Sequence, residues 1–435
     1  MNRPSTRCWL PNITRFLNRS SDPLKGPTMN RRHLFQLATA AGASKLFAAP
    51  APTASDEDFW AGIRNEFTTD RTVVNLNNGY ASPAPRSVQE AMRRYLDYTN
   101  MGPYHTMVRE LDPKVETARR MVAEAAGVDP ETIAITRNSS EALEIAQLGL
   151  DLKPGDEVLT TNQDYPRMLT TFGQRERRDG IKLKTLSFPV PVTSMDDLYN
   201  LYEKAVTPKT KAILVCHITN RTGQIFPVRR ICDMAAARGI VSIVDGAHAF
   251  NQFPYKISDL NCDYYGVSLH KWTFAPIGTG FLHVRKSRIK DTWPMFAAGP
   301  GREENIRKFE EIGTHPAANF DAICEAIAFN RAIGIERKSA RLRYLRDRWA
   351  NQLADNPKVK ILHNPAPEMS CGIGMISVKG DAQKLVSALQ TKYGIYVALM
   401  GHEEYTGIRI TASIYTTTQE IDYFANAVNR EVEAL

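Results

Sequence analysis

Residues 240–248 read IVSIVDGAH, and residues 264–272 read YYGVSLHKW. Each stretch begins with a short apolar run rich in β-branched or aromatic residues, which is typical of a buried strand. A chemically active side chain follows each run, Asp245 after the first and Lys271 after the second. Ligands in α/β proteins bind at the carboxyl ends of parallel strands. The two stretches therefore predict an α/β fold with a functional site at one edge of its sheet.

Strand-like and helix-like segments alternate between about residue 130 and residue 285. The strand-like runs are Thr132–Thr136, Glu157–Thr161, Ile181–Leu186, Lys211–His217, Ile240–Val244, Tyr264–Val267 and Thr279–Val284. The helix-like stretches are Glu141–Leu148, Met168–Arg178, Asp196–Val206 and Val228–Arg238. Such alternation predicts a mostly parallel sheet that is covered by helices.

The remaining segments predict a smaller second domain, which a chain of 435 residues is long enough to form. After Phe320, a helical stretch rich in Arg and Leu extends to about Leu353. A small α+β unit follows, with segments at Ile373–Val378, Ala382–Gln390, Gly407–Thr411 and Gln419–Val428. Residues 101–109 and 295–307 are expected to be loops that shape the substrate pocket.

The formal charge of +8 is concentrated at the amino terminus. Residues 1–50 contain eight Lys and Arg residues and one acid, Asp22, so the rest of the chain is nearly neutral. A neutral body gives no electrostatic reason to expect a nucleic-acid partner.

The same amino-terminal region resembles an export signal. Arg31 and Arg32 precede a weakly apolar stretch, and Ala49-Pro50-Ala51 fits a cleavage site. We expect a twin-arginine signal peptide, recognised by the twin-arginine export machinery, and a periplasmic protein. The stretch is too short for a stable membrane anchor. A basic tail with a chance Arg pair is the alternative, and Met29 is a second candidate start.

The spacing of the cysteines does not match a disulfide framework or a zinc site. The six are scattered, none belongs to a C-x-x-C pair, and most lie within apolar runs. Such cysteines are more often buried thiols than disulfides or zinc ligands. We therefore expect no metal site.

An acid at one strand end and a lysine after another match the needs of pyridoxal 5′-phosphate (PLP). This cofactor requires a lysine amine for its Schiff base and a carboxylate that keeps its pyridine nitrogen protonated. Lys271 and Asp245 are the candidates, although Asp245 could instead cap a helix. His248 could reach the ring oxygen of the cofactor or be an ordinary core histidine.

The sequence Thr-Arg-Asn-Ser-Ser-Glu-Ala at 136–142 predicts a strand, a polar turn and a helix start. Hydroxyl groups at a helix amino terminus form an anion site, so Ser139 and Ser140 are candidate phosphate ligands. A plain helix cap is the alternative. Ser268 and His270 could add donors beside the lysine.

Two further residues have both a functional and a structural interpretation. Tyr165 follows a strand and could stack on the pyridine ring or pack on the core. Arg409 lies within an apolar strand and could bind a substrate carboxylate or form a structural salt bridge.

Together these strings resemble the class V aminotransferase family, most of all its isopenicillin N epimerase-like branch. The supporting stretches are LNNGYASP at 76–83, TRNSSEAL at 136–143, HITNRTG at 217–223, VDGAH at 244–248, SLHKW at 268–272, and Arg409 followed by Ile414 and Tyr415. The resemblance implies PLP fold type I: a large domain with a mostly parallel seven-stranded sheet and a small carboxyl-terminal α+β domain. The implied regions are 1–51 (extension and signal), 52–85 (arm), 86–320 (PLP-binding domain) and 321–435 (small domain).

The resemblance also implies residue roles. Asn220 would lie beside the ring oxygen, Asn78 and Gly79 would line the substrate pocket, and Thr314 would contact the phosphate of the other subunit. Shared sites of that kind imply a homodimer. Cysteine desulfurases use a cysteine in a late loop, and residues 392–409 contain none, which disfavours persulfide chemistry.

The expected activity is PLP-dependent transamination of an amino acid or a related metabolite. The substrate would displace Lys271, Arg409 would hold its carboxylate, and the freed lysine would act as the general base. Epimerisation or C–S lysis within the same family is the second hypothesis. A periplasmic binding protein without catalysis is the third.

Overall fold

The computed structural model describes residues 53–435, so the expected signal at residues 1–51 lies outside it. The helices are α1 (Glu57–Asn65), α2 (Arg86–Met101), α3 (Val115–Ala126), α4 (Ser139–Gly149), α5 (Pro166–Asp179), α6 (Met195–Ala205), α7 (Val228–Ala237), α8 (Lys286–Ile289), α9 (Ala317–Asp321), α10 (Ile323–Ile333), α11 (Ile335–Leu353), α12 (Ala382–Tyr393) and α13 (Thr418–Glu431). The strands are β1 (Val74–Asn75), β2 (Ile133–Thr136), β3 (Glu157–Thr161), β4 (Lys182–Leu186), β5 (Thr210–Cys216), β6 (Val241–Asp245), β7 (Tyr264–Ser268), β8 (Gly280–Val284), β9 (Val359–Ile361), β10 (Ile373–Val378), β11 (Ile395–Tyr396), β12 (Ala398–Gly401) and β13 (Thr406–Thr411).

Strands β2 to β8 form a seven-stranded sheet in the order β2-β8-β7-β6-β5-β3-β4. Strand β8 runs antiparallel to its neighbours β2 and β7, and the other pairs are parallel. This arrangement confirms the predicted α/β fold with a mostly parallel seven-stranded sheet.

The apolar runs follow from burial of both sheet faces. Side chains alternate between faces along a strand, so a sheet covered on both sides needs apolar residues at every position. In β6, Ile243 packs with Leu214 in one hydrophobic cluster, and Val244 packs with Val215 in the other. The parallel register then brings the ends of β5, β6 and β7 to the same edge.

A second sheet is formed by the carboxyl-terminal part of the chain. Its order is β12-β13-β10-β9, and all its pairs are antiparallel. Helices α11, α12 and α13 contribute Trp349, Leu385 and Phe424 to the cluster that also buries Ile410 of β13. Strand β1 of the arm pairs with β11 in a separate two-stranded sheet, and a bridge between Asn77 and Thr411 connects the arm to β13 of the four-stranded sheet.

Three local features differ from the sequence-based expectation. The long helix predicted to reach Leu353 is divided at Gly334, whose φ of 87° is unfavourable for residues with a Cβ. The loop expected at 101–109 is wrong: α2 extends to Met101, and a π-helix occupies Pro103–Leu111. The short strands β9, β11 and β12 have too few residues for a recognisable pattern.

Within residues 53–435, we find no helix with the length and apolar character required to cross a bilayer.

Candidate active site

A cleft of about 860 Å³ opens between the carboxyl edge of the large sheet and strand β12 of the second sheet. Eleven of the predicted site residues line this cleft or its floor: Gly79, Ser139, Ser140, Tyr165, Asn220, Asp245, His248, Ser268, His270, Lys271 and Arg409. They come from segments far apart in sequence, and the strand ends bring them together. The structure shows that these residues lie together. Their chemical roles remain predictions.

Lys271 and His248 form the centre of the cleft floor. The Nζ atom of Lys271 lies 3.0 Å from Nε2 of His248, and Nε1 of Trp272 lies 3.4 Å from Nδ1. An indole N–H can only donate, so Nδ1 accepts and we assign the ring proton to Nε2. That proton faces Lys271 and is best accepted by a neutral amine. Burial independently lowers the pKa of Lys271 to about 8, against an opposing effect of Asp245.

Asp245 ends β6 beneath the lysine. Its Oδ1 accepts a hydrogen bond of 2.9 Å from the Ala247 N–H, and burial raises the pKa of the carboxyl to about 6. No ion pair to Asp245 occurs within the described part of the chain. The turn after it needs a glycine, since a Cβ at Gly246 would lie 1.9 Å from a ring atom of Tyr265. A buried carboxylate without a cation is suited to a cationic ligand.

The opposite end of the cleft carries hydroxyl groups at a helix start. Asn138 caps α4 by accepting from the Glu141 N–H at 2.9 Å, so the alternative that Ser139 is the cap is wrong. The N–H of Ser139 donates to Ser268 Oγ, and the Ser268 hydroxyl donates to Ser139 Oγ, both at 2.9 Å. This pair faces the cleft at the positive end of a helix dipole, which favours an anion.

His270 lies beside this hydroxyl pair, and its protonation state decides whether its Nε2 accepts or donates a hydrogen bond. Its Nδ1 lies 3.1 Å from the Thr279 carbonyl oxygen, which can only accept, and burial lowers the pKa of the ring to about 4. The neutral ring therefore presents Nε2 as an acceptor. A phosphate beside it would favour the charged form and turn Nε2 into a donor.

Arg409 is held by neutral acceptors. One terminal nitrogen donates to the Asn220 carbonyl oxygen and the other to Asn77 Oδ1, each at 2.8 Å. Its buried Nε–H has no acceptor, and no carboxylate among residues 53–435 lies within ion-pair distance. The alternative of a structural salt bridge is therefore wrong for this part of the chain. The guanidinium remains available for a ligand carboxylate.

Two expected residues do not line the cleft of their own chain. Asn78 is fully buried: its amide donates to the carbonyl oxygens of Asn75 and Thr411 and accepts from the Tyr415 hydroxyl. Asn78 therefore positions the arm. Its neighbour Gly79 lines the cleft instead. Thr314 is exposed on a loop, and its contact with a second subunit stays a prediction.

Sequence reasoning missed four contributors. Asn77 holds Arg409, Trp272 orients His248, and Arg221 lines the cleft. All three stand inside the motifs quoted above, and Arg221 could have been noticed as a charge in a turn after a buried strand. The fourth, Cys216, lies on the floor and donates to Asp164 at 2.9 Å. Burial raises the pKa of its thiol well above the usual range, so it is no nucleophile.

The residues present fit PLP. Asp245 suits the pyridinium nitrogen, Lys271 the aldehyde carbon, and the Ser139–Ser268 pair the phosphate. An orphaned atom supports this fit, because the side-chain oxygen of Asn220 is buried in the cleft without a partner. A polar ligand group beside it would satisfy that atom.

The chain matches the family model "Aminotransferase class-V" over residues 74–424. Among curated proteins it is 31% identical to isopenicillin N epimerase of Streptomyces clavuligerus over 388 residues, which cover 85% of this chain and 98% of that protein. It is 28% identical to isopenicillin N epimerase of Amycolatopsis lactamdurans, with coverage of 85% and 98%.

Solved structures show the same fold. The apo cysteine desulfurase of Thermococcus onnurineus NA1 has a TM-score of 0.77 at 23% identity and covers 88% of this chain and 100% of its own. A variant of C-DES with glycine covalently linked to the PLP cofactor has a TM-score of 0.76 at 22% identity, with coverage of 84% and 98%. The family match, the fold and the fitted site lead to one conclusion: this chain belongs to the class V aminotransferase family of PLP-dependent enzymes.

Proposed function

We propose that this enzyme transfers the amino group of an amino acid, or of a metabolite that contains one, to a keto-acid acceptor. The observation that carries the proposal is the Lys271 amine, whose pKa is lowered to about 8 and whose Nζ lies 3.0 Å from Nε2 of His248. The same cleft contains Arg409, which has no acidic partner among residues 53–435. These groups suit proton transfer at a carbon next to both an amine and a carboxylate. Transamination is the commonest outcome of that proton transfer in this family.

Each residue has a defined task in the proposed reaction. Arg409 binds the substrate carboxylate and orients the adjacent Cα–H toward the floor of the cleft. Lys271 Nζ, which loses its charge readily, accepts the proton from Cα and can deliver it elsewhere. His248 holds Lys271 in place, and Asp245 keeps a proton on the cofactor's ring nitrogen. When bound, PLP supplies an electron sink that stabilises negative charge at the deprotonated carbon.

Epimerisation or C–S lysis is the second candidate, favoured by the 31% identity to an isopenicillin N epimerase. Both reactions would use the same first proton transfer. The environments of two cysteines disfavour a persulfide route. Cys371 is fully buried, with its thiol 3.4 Å from the Gln252 carbonyl oxygen. The Cys216 thiol donates a hydrogen bond to the Asp164 carboxyl group, so it is not available as a nucleophile.

Replacing Lys271 by alanine tests the proposal. We expect amino-acid turnover to fall at least about 100-fold, the usual loss for a general base, while the fold is retained because the side chain faces an open cleft. The measurement is keto-acid release from a panel of amino acids with holoenzyme, together with the visible absorption of the bound cofactor. Release of a keto acid indicates transamination, whereas racemised or cleaved amino acid indicates the second candidate.

Lys211→Ala is the matched control, because Lys211 is exposed near the start of β5, at the end of the strand opposite the cleft. It should leave every rate unchanged. Wild-type turnover by the Lys271→Ala enzyme would refute the assignment of the base. If the wild-type holoprotein turned over none of the amino acids, the non-catalytic binding protein would become the better description.

The protonation of Lys271 can be tested without cofactor. A lysine reacts with acetic anhydride only as the free amine, and burial lowers the pKa of Lys271 to about 8. In the apoenzyme, labelling of Lys271 should therefore increase through pH 8 and level off. Labelling of a free reference peptide that contains one lysine should continue to increase toward about pH 10.4. Quantitative peptide mass spectrometry measures both, and identical pH profiles would contradict the role of burial.

We further propose that two chains form a homodimer with shared sites. Tyr80 and Ile277 line the mouth of the cleft and are 79% and 72% exposed, which is unusual for large apolar side chains at a binding site. A second chain would cover them and bring its Thr314 toward the phosphate end.

Light scattering of the holoenzyme should give twice the chain mass. Ile277→Asp should shift the protein toward the monomer and weaken cofactor retention, because a charge would be buried at the contact. Tyr423→Asp is the control, since Tyr423 is exposed on α13 of the second sheet's helical cover. A monomeric wild-type protein that retains its cofactor would contradict the proposal.

We propose export by the twin-arginine route to the periplasm, supported by Arg31, Arg32 and the cleavage-like Ala49-Pro50-Ala51. This route carries folded proteins, which suits an enzyme loaded with a cytoplasmic cofactor. Replacing both arginines with lysine should retain the protein in the cytoplasm. Amino-terminal sequencing of the exported wild-type protein should begin near residue 52, and an intact residue 30 in the periplasmic fraction would contradict the proposal.

A further inference from the structure

The cleft contains a second guanidinium group that the reaction above does not use. Arg221 lines the cleft beside Arg409, and one of its terminal nitrogens donates to the Gly401 carbonyl oxygen at 2.7 Å. Its Nε–H is buried without an acceptor, as is that of Arg409. Across residues 53–435, neither arginine has a carboxylate within ion-pair distance.

The two guanidinium groups are close enough to repel each other. Arg409 donates to the carbonyl oxygen of Asn220, the residue that precedes Arg221. Burial lowers the pKa of Arg409 to about 10, and the charge of Arg221 acts in the same direction. Two like charges in a partly desolvated cleft, with neutral acceptors only, are unfavourable unless an anionic ligand lies between them.

The other arginines of the cleft show that this arrangement is particular to the pair. Arg137 also lines the cleft, but it is paired with Glu141, with nitrogen–oxygen distances of 2.7 and 3.1 Å. Arg167 lies exposed at the mouth, where water screens its charge. The phosphate end of the cleft is formed by other elements, the start of α4 and the end of β7. The charge of Arg221 therefore exceeds what a single substrate carboxylate requires.

We propose that Arg221 binds a second carboxylate of the substrate, so that the substrate class is amino acids with an acidic side chain. The inference rests on the proposed function, which assigns the first carboxylate to Arg409. Arg221 also donates to Gly401, the last residue of β12, so carboxylate binding at Arg221 would hold the end of β12 against the bound substrate. A guanidinium fork matches a carboxylate in geometry, whereas a neutral side-chain amide would leave one charge unpaired.

The test is equilibrium binding of unreactive acids to the holoenzyme by titration calorimetry. Succinate, glutarate and adipate are each compared with their own monoamide, which has nearly the same shape and one charge fewer. At least one diacid should bind roughly 10- to 100-fold more tightly than its monoamide, the range expected for one charged hydrogen-bonded contact. Equal affinities for all three pairs, or no binding of any diacid, would overturn the inference.

Variants assign the effect to Arg221. Arg221→Met should reduce the preference for the diacid to less than about 3-fold, and Arg221→Lys should retain part of it because the charge remains but the fork is lost. Arg221→Gln keeps a donor for Gly401 and therefore distinguishes carboxylate binding from support of the end of β12. This variant should also lose the preference for the diacid. Arg167→Met, at the exposed mouth, is the control and should change nothing. A preference that survives in both Arg221→Met and Arg221→Gln would exclude this site.

Kinetics separate this inference from the proposed function. If glutamate or aspartate reacts with kcat/KM well above that of its amide, and Arg221→Gln removes the difference mainly through KM, both hold. If amino acids react without regard to side-chain charge and the diacids show no preference, only the acidic substrate class fails. If no amino acid reacts but the diacid preference is present and depends on Arg221, the proposed reaction fails and the subsite stands.

Discussion

The site depends on the burial of a lysine and a carboxylate at the ends of two neighbouring parallel strands. Asp245 ends β6, and Lys271 follows β7 by three residues, so the sheet register fixes both relative to each other. In the buried setting, Asp245 becomes easier to protonate and Lys271 easier to deprotonate. Both shifts express the cost of burying a charge. A cofactor with a cationic ring nitrogen and an aldehyde would satisfy both groups, which explains why the fold tolerates them there.

The arm and the second sheet are connected to the cleft by Arg409. Arg409 belongs to β13 of the second sheet, yet its donors reach Asn220 after β5 and Asn77 in the arm. One buried side chain in the lining of the cleft therefore connects three separate parts of the chain. Asn78, fully hydrogen-bonded within the protein, fixes the arm beside it. The proposed binding of a substrate carboxylate at Arg409 would therefore depend on the positions of the arm and the segment after β5.

The sequence predicted the large sheet well because its central strands β6, β7 and β8 are buried on both faces and consist mainly of apolar residues, although the edge strand β4 is partly exposed. Asp245 and Lys271 were predictable because charged groups at the end of such a run, or within three residues of it, have few structural uses. Other features arise from tertiary context. The break at Gly334 depends on one backbone angle, and the assignment of the α4 cap to Asn138 depends on side-chain geometry. The lack of an acidic partner for Arg221 within residues 53–435 could be recognised only from the folded structure, because the sequence does not show which carboxylates lie near it.

The most direct test of the account is to reduce the holoenzyme with borohydride, digest it and locate the cofactor by peptide mass spectrometry. Reduction makes the bond between PLP and its lysine permanent. We expect a single pyridoxyl-modified residue, Lys271. Modification of a different lysine, such as the buried Lys338 whose Nζ contacts Asn330, would contradict it, as would a protein that retains no PLP at all.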